Sequence, residues 1–164
     1  KLLATSRKVG DQYYAMVSPV MIDAKNPLYS VNGVFNAIFI HGNVLGDAMF
    51  YGSGAGKLPT ASAVVADVVD CAKNKGRNIM MSWSEEKLDL LQIDDVKSRF
   101  FVRVSGHAAE RQSEIEELFG KVEIVAVPSL SEEFAFITGE ITEQEYREKA
   151  EKLDGIQSRI RARI

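Results

Sequence analysis

The chain is short of most of the residues that advertise chemistry. It has one cysteine, Cys71, so it holds no internal disulfide and no thiolate metal cluster. It has two histidines, His41 and His107, each near a loop, and no grouping of His, Cys, Asp and Glu at metal-ligand spacing, so a metal site is not expected. Its apolar runs are far too short for a membrane span, and no charged segment followed by an apolar stretch marks a secretory signal. It lacks a basic block, and its net charge is −3, which argues against nucleic acid as a partner. These absences fit a reducing, cytoplasmic setting. The 164 residues begin Lys-Leu-Leu-Ala without Met, in the manner of the middle of a longer protein.

What is present divides by composition. Residues 1 to about 76 are poor in charge and rich in Gly, Ala and Val, whereas residues from about 84 onward are dense in Glu, Lys and Arg. A linker is expected over 77–97, between a first lobe, 1–76, and a second, 98–164. In the first lobe, Tyr13–Ile22 reads as a β-branched and aromatic strand that stops at the turn-prone Asn26-Pro27. Val31–His41 is apolar on both sides of the alternation, which predicts a strand buried on both faces. Asp47–Tyr51 returns as a third strand. A helix over about 60–73 would pack Ala61, Val64, Val65, Val68 and Ala72 along one face.

The second lobe has a compact rhythm. It runs strand 99–105, helix 108–119, strand 121–128, strand 133–141, helix 143–153 and strand 157–164. Thr142-Glu-Gln-Glu145 has the spacing of a capping box at the start of the second helix. The order βαββαβ predicts a ferredoxin-like antiparallel sheet under two helices. The fold class is therefore α+β: a partial mixed sheet with a helix, then a ferredoxin-like unit.

Gly52, Gly54 and Gly56 alternate at the exit of the third strand, and the helix that follows carries Pro59 near its start. Such a turn exposes backbone N–H groups at a helix N-terminus, where an anion can sit. It is no P-loop, because the glycine spacing is too short and Leu58 stands where a magnesium-binding hydroxyl is needed. Nor is it a Rossmann fingerprint, since Lys57 replaces the third glycine. Spacing alone leaves an anion site and a simple tight turn equally open. Ser53 and Ser62 have no evident base, and Asp67 and Asp70 read as the solvated side of the helix.

The longer run Phe50–Asp67, with Val17-Ser-Pro, Asn26-Pro-Leu and Val31-Asn-Gly-Val-Phe-Asn-Ala before it, resembles the end of the catalytic domain of homoserine dehydrogenases over residues 1–75 or so. The remainder, 98–164, resembles an ACT domain, the regulatory module appended to many of them. The resemblance implies an oxidoreductase interconverting L-homoserine and L-aspartate 4-semialdehyde with NAD or NADP, on the route to threonine and methionine. It implies that Gly54, Ala55, Gly56 and Thr60 neighbour the cofactor. It also implies that the catalytic acids and the dinucleotide-binding domain lie upstream, so that no catalytic residue is expected here and the segment alone should be inactive. The strands at 13–22 and 31–41 would belong to a sheet that pairs subunits in a homo-oligomer. In the ACT domain the turn after the first strand receives an amino-acid effector such as threonine, which points to Ser105, Gly106, His107 and Ala108. Here that turn keeps Gly106 but lacks the family's acid and its Val-Leu pair. Alternative readings are an amino-acid-binding regulatory module and a purely structural dimerisation piece.

Overall fold

The computed structural model describes residues 1–78 and 80–164. They form two compact units, one of Lys1–Asp23 with Lys87–Ile164, the other of Ala24–Glu86.

The first unit opens with β1 (Leu2–Val9) and β2 (Gln12–Ile22), an antiparallel hairpin turned at Gly10, whose φ of +61° suits glycine. It resumes after Glu86. Tyr13 on β2 bonds to the backbone of Asp89 and Leu91, and a single 3₁₀ turn at Ile93–Asp95 leads into the strand that begins at Lys97. In the second unit, β3 (Phe35–Gly42) and β4 (Gly46–Ser53) pair as an antiparallel ribbon, and α1 (Lys57–Lys73) follows.

From β5 onward the elements are β5 (Lys97–Ser105), α2 (Ala108–Phe119), β6 (Glu123–Val125), β7 (Glu133–Ile137), the two-residue β8 (Ile141–Thr142), α3 (Glu143–Ala150) and β9 (Ile156–Arg163). The sheet order is β1-β2-β9-β5-β7-β6, antiparallel throughout except for β2 against β9, with β8 paired to β5. The hairpin near the start of the chain thus extends the sheet formed by its other end.

Alternation decides the core. Phe100, Val102 and Val104 of β5 and Phe134 and Phe136 of β7 point to one face, where Ile115 and Phe119 of α2 and Tyr146 and Leu153 close over them. Phe119 and Phe136 meet with ring centroids 5.1 Å apart, and Phe100 and Tyr146 at 4.6 Å. Glu143, buried at the first turn of α3, is held by Arg159 and, at 2.5 Å, by Arg161, both from β9. Both guanidiniums lie over the ring of Phe100.

Several expectations need correction. Helix α1 begins at Lys57, three residues before the expected start, because Gly56 is its N-cap and Pro59 sits in the first turn, where its missing N–H costs nothing. The strand expected over 31–41 starts only at Phe35, and it is not buried on both faces: Ile38 is 64% exposed and Ile40 49%. The helix face of Ala61, Val64, Val65, Val68 and Ala72 is likewise unpacked, with Val65 60% exposed. The strand expected over 121–128 is confined to Glu123–Val125. The one expected over 133–141 breaks at Thr138, whose hydroxyl accepts from the N–H of Phe100 and donates to the Gly139 carbonyl. Helix α3 stops at Ala150, and the N–H groups of Lys152 and Leu153 bond three residues back in a tightened end.

Candidate functional site

The glycine turn lies in the second unit, between β4 and α1. The β3–β4 register sets Asn36 opposite Gly52, and the ribbon ends at Ser53. Gly54, Ala55 and Gly56 then carry the chain to the helix. Gly56 has φ +122°, a conformation that side chains oppose. As N-cap it offers no side-chain acceptor, and the first helical bond runs from the Thr60 N–H to the Gly56 carbonyl at 3.1 Å. The N–H groups of Lys57 and Leu58 are therefore left uncapped among the described residues. The first turn holds no acidic residue and does hold Lys57, so charge and helix dipole both favour an anion. Gly54, Ala55, Gly56 and Thr60, the residues expected beside a cofactor, all lie exposed within this one turn.

His41 is tied to a carboxylate rather than poised over a reacting group. Its Nδ1 lies 2.5 Å from Oδ1 of Asp47, its ladder partner beside the turn that closes the ribbon, and both side chains are well exposed.

The second candidate is the β5–α2 turn of the first unit. Gly106 takes φ +103°, and its N–H donates to the Glu132 carbonyl at 2.8 Å. A cavity of about 320 Å³ opens beside it, lined by Gly106, His107 and Ala108 and walled by Val127, Leu130 and Phe134. His107 is the N-cap of α2 and makes no side-chain capping bond. Ser105, expected with these three, lies outside the lining. Its N–H and hydroxyl both donate to the Gly155 carbonyl, and its own carbonyl accepts from Arg111. Glu133 also lines the cavity, but Arg103 engages both its oxygens, at 2.6 and 2.8 Å. The cavity suits a small, largely apolar molecule with one polar end. Its far wall, Ala126–Ser131, escaped the sequence reading, because the expected strand runs on to 128, where the chain instead bends in a loop around the opening.

Among titratable groups, burial raises Tyr146 above the usual phenol range. The amide of Thr142 holds Glu145 below the usual carboxylate range, and Asp94 raises Arg147. None of these lines either site.

Residues 1–69 match the family model for homoserine dehydrogenase. Among curated relatives, the homoserine dehydrogenase of Lactococcus lactis is 39% identical over 107 residues, covering 63% of this chain and 25% of that protein. That of Corynebacterium glutamicum is 48% identical over 80 residues, covering 46% and 18%. The chain thus spans about a quarter or less of the relatives it matches. A homoserine dehydrogenase structure from Thiobacillus denitrificans superposes with a TM-score of 0.78 at 25% identity, over 99% of this chain and 42% of that one. One from S. aureus, at 24% identity and a TM-score of 0.71, shares the fold over 100% of this chain and 41% of its own.

Proposed function

We propose that the chain, whose residues 1–69 match the homoserine dehydrogenase family model, serves as the C-terminal part of such an enzyme and forms one side of its dinucleotide site. The domains would be 1–76, the end of the catalytic domain; 77–97, a linker; and 98–164, an ACT-type regulatory domain. The observation that carries the reading is the Gly54–Gly56 turn, which meets a helix with uncapped N–H groups, Lys57 and no acid in its first turn. That donor set fits the pyrophosphate of NAD or NADP, with Gly54, Ala55 and Gly56 against it and Thr60 beside it. A bound NAD or NADP would supply the hydride chemistry that interconverts L-homoserine and L-aspartate 4-semialdehyde. The residues here bind and orient; the groups that move protons lie elsewhere in the enzyme. The enzyme would act in the cytoplasm as a homo-oligomer.

The isolated 164 residues should show no homoserine-dependent reduction of NADP or NAD. Clear turnover would mean that the catalytic groups lie within this chain.

The cavity beside Gly106, His107 and Ala108 supports a second role, regulation by a bound amino acid such as threonine. Its opening at the N-terminus of α2 would receive a carboxylate, although Glu110 in that first turn weakens the attraction. A ligand that binds only the folded state adds about 2.7 kcal/mol of stability at a hundred times its Kd. Threonine at millimolar concentration should therefore raise the melting temperature of the second lobe, and no shift would leave that lobe a structural piece.

A further inference from the structure

The glycines of the turn differ in what a side chain there would meet. At Gly56 the obstacle is backbone conformation, since φ is +122°. Gly54 is outside that region, yet a Cβ there would displace the side-chain amide of Asn36, whose Cγ would stand only 3.1 Å away. Gly52, which faces Asn36 directly across the ladder, has neither constraint: its φ is ordinary, and a Cβ would meet nothing within 4 Å. The Asn36 side chain has therefore leaned away from its direct partner and onto the diagonal neighbour, which two bare glycines leave open to it. Its one hydrogen bond among the described residues is a long one, 3.5 Å, to the Val34 carbonyl. The amide is exposed, and most of its hydrogen-bonding capacity is uncommitted.

We propose that Asn36 is a positioning residue of the dinucleotide site: its amide lies against Gly54 and fixes the height of the peptides that Ala55 and Gly56 present to the cofactor's phosphates. This rests on the reading of the turn as that site. Glycine at position 54 is there to admit the asparagine, not to free the backbone. A neutral amide is the chemistry the place requires, because a carboxylate of the same shape would set a negative charge beside the bound anion.

The test uses the full-length enzyme that carries this segment. Dissociation constants for NADPH and NADH are read from the fluorescence of the bound nicotinamide, alongside KM values and melting temperatures. Asn36→Asp is expected to weaken cofactor binding at least tenfold, with the KM for homoserine within twofold and the melting temperature little moved. Gly54→Ala should weaken it similarly, and Asn36→Ala added to Gly54→Ala should cause little further loss, because both act through one contact. Gly52→Ala should change cofactor binding less than twofold. The proposal is overturned if Asn36→Asp leaves the cofactor dissociation constant within twofold, or if it raises both KM values in proportion. Should Gly54→Ala fail to fold, Asn36→Asp decides alone. An unsubstituted enzyme that binds cofactor while Asn36→Asp has no effect removes this inference only; one that binds no cofactor removes the reading of the turn as well.

Discussion

The two units use apolar residues in equal earnest and to opposite effect. In the first, Phe100, Phe136 and Ile115 have no contact with solvent. In Ala24–Glu86 no described residue is buried, although α1 carries a valine stripe and the ribbon carries Ile38, Ile40 and Phe50. The difference teaches that periodicity records which face is apolar and says nothing of what covers it. A stripe at i, i+3, i+4 and i+7 reads the same on α1, where it is open, as on α2, where Ile115 and Phe119 are sealed.

That contrast can be broken most directly in the 164-residue chain by urea unfolding. Phe136→Ala should cost about 3–5 kcal/mol, since it empties a fully packed site. Val65→Ala on the open face of α1 should stay within about 0.5 kcal/mol. A comparable cost for both would mean that the face of α1 is covered in solution. Next in size, Glu143→Ala leaves Arg159 and Arg161 without their shared carboxylate. It should cost about 2–4 kcal/mol, allowing for the water that reaches Arg159. Replacing Arg161 with Met in the same chain should recover part of that loss.

Thr142→Ala removes the hydroxyl that accepts from the Glu145 N–H at 3.1 Å, and should cost about 1 kcal/mol by thermal unfolding. The smallest effect concerns pH. Glu145 also accepts from the Thr142 N–H at 2.7 Å, and its carboxyl titrates below the ordinary value of 4.5. Its contribution is therefore present above the ordinary range and fades as pH falls through the lowered one. The difference between the parent and Glu145→Gln should vanish in acid; a difference that persists there would assign the effect to shape and not charge. In native-state hydrogen exchange, amides of β5 and β7 should open only with global unfolding and those of β3 and β4 well before it.

Much of the first unit was legible because its punctuation is local. Gly106 and Gly120, both at positive φ, bracket α2, and its expected limits, 108–119, are the observed ones. Thr142 and Glu145 form both bonds of the capping box their spacing implied. What stayed hidden depends on pairing across long sequence distances. β1 has a mixed composition and is a strand because β2 supplies its partner; the Gly10-Asp11 turn was the available clue. The parallel pairing of Val20, Met21 and Ile22 with Arg161, Ala162 and Arg163 has no local signature. At the candidate site the glycine turn was legible as a motif. The part played by Asn36 was not, because it follows from the β3–β4 register.

That remote pairing sets an order of events in time. β9 is the strand between β2 and β5, and it follows every other element in the chain. At about 5–20 residues per second, the roughly 130 residues that separate β2 from β9 take on the order of ten seconds to synthesise. Throughout that interval the Val20–Ile22 end of β2 lacks its ladder partner. The hairpin made near the start of this chain waits as an open edge until translation delivers the strand that fastens it.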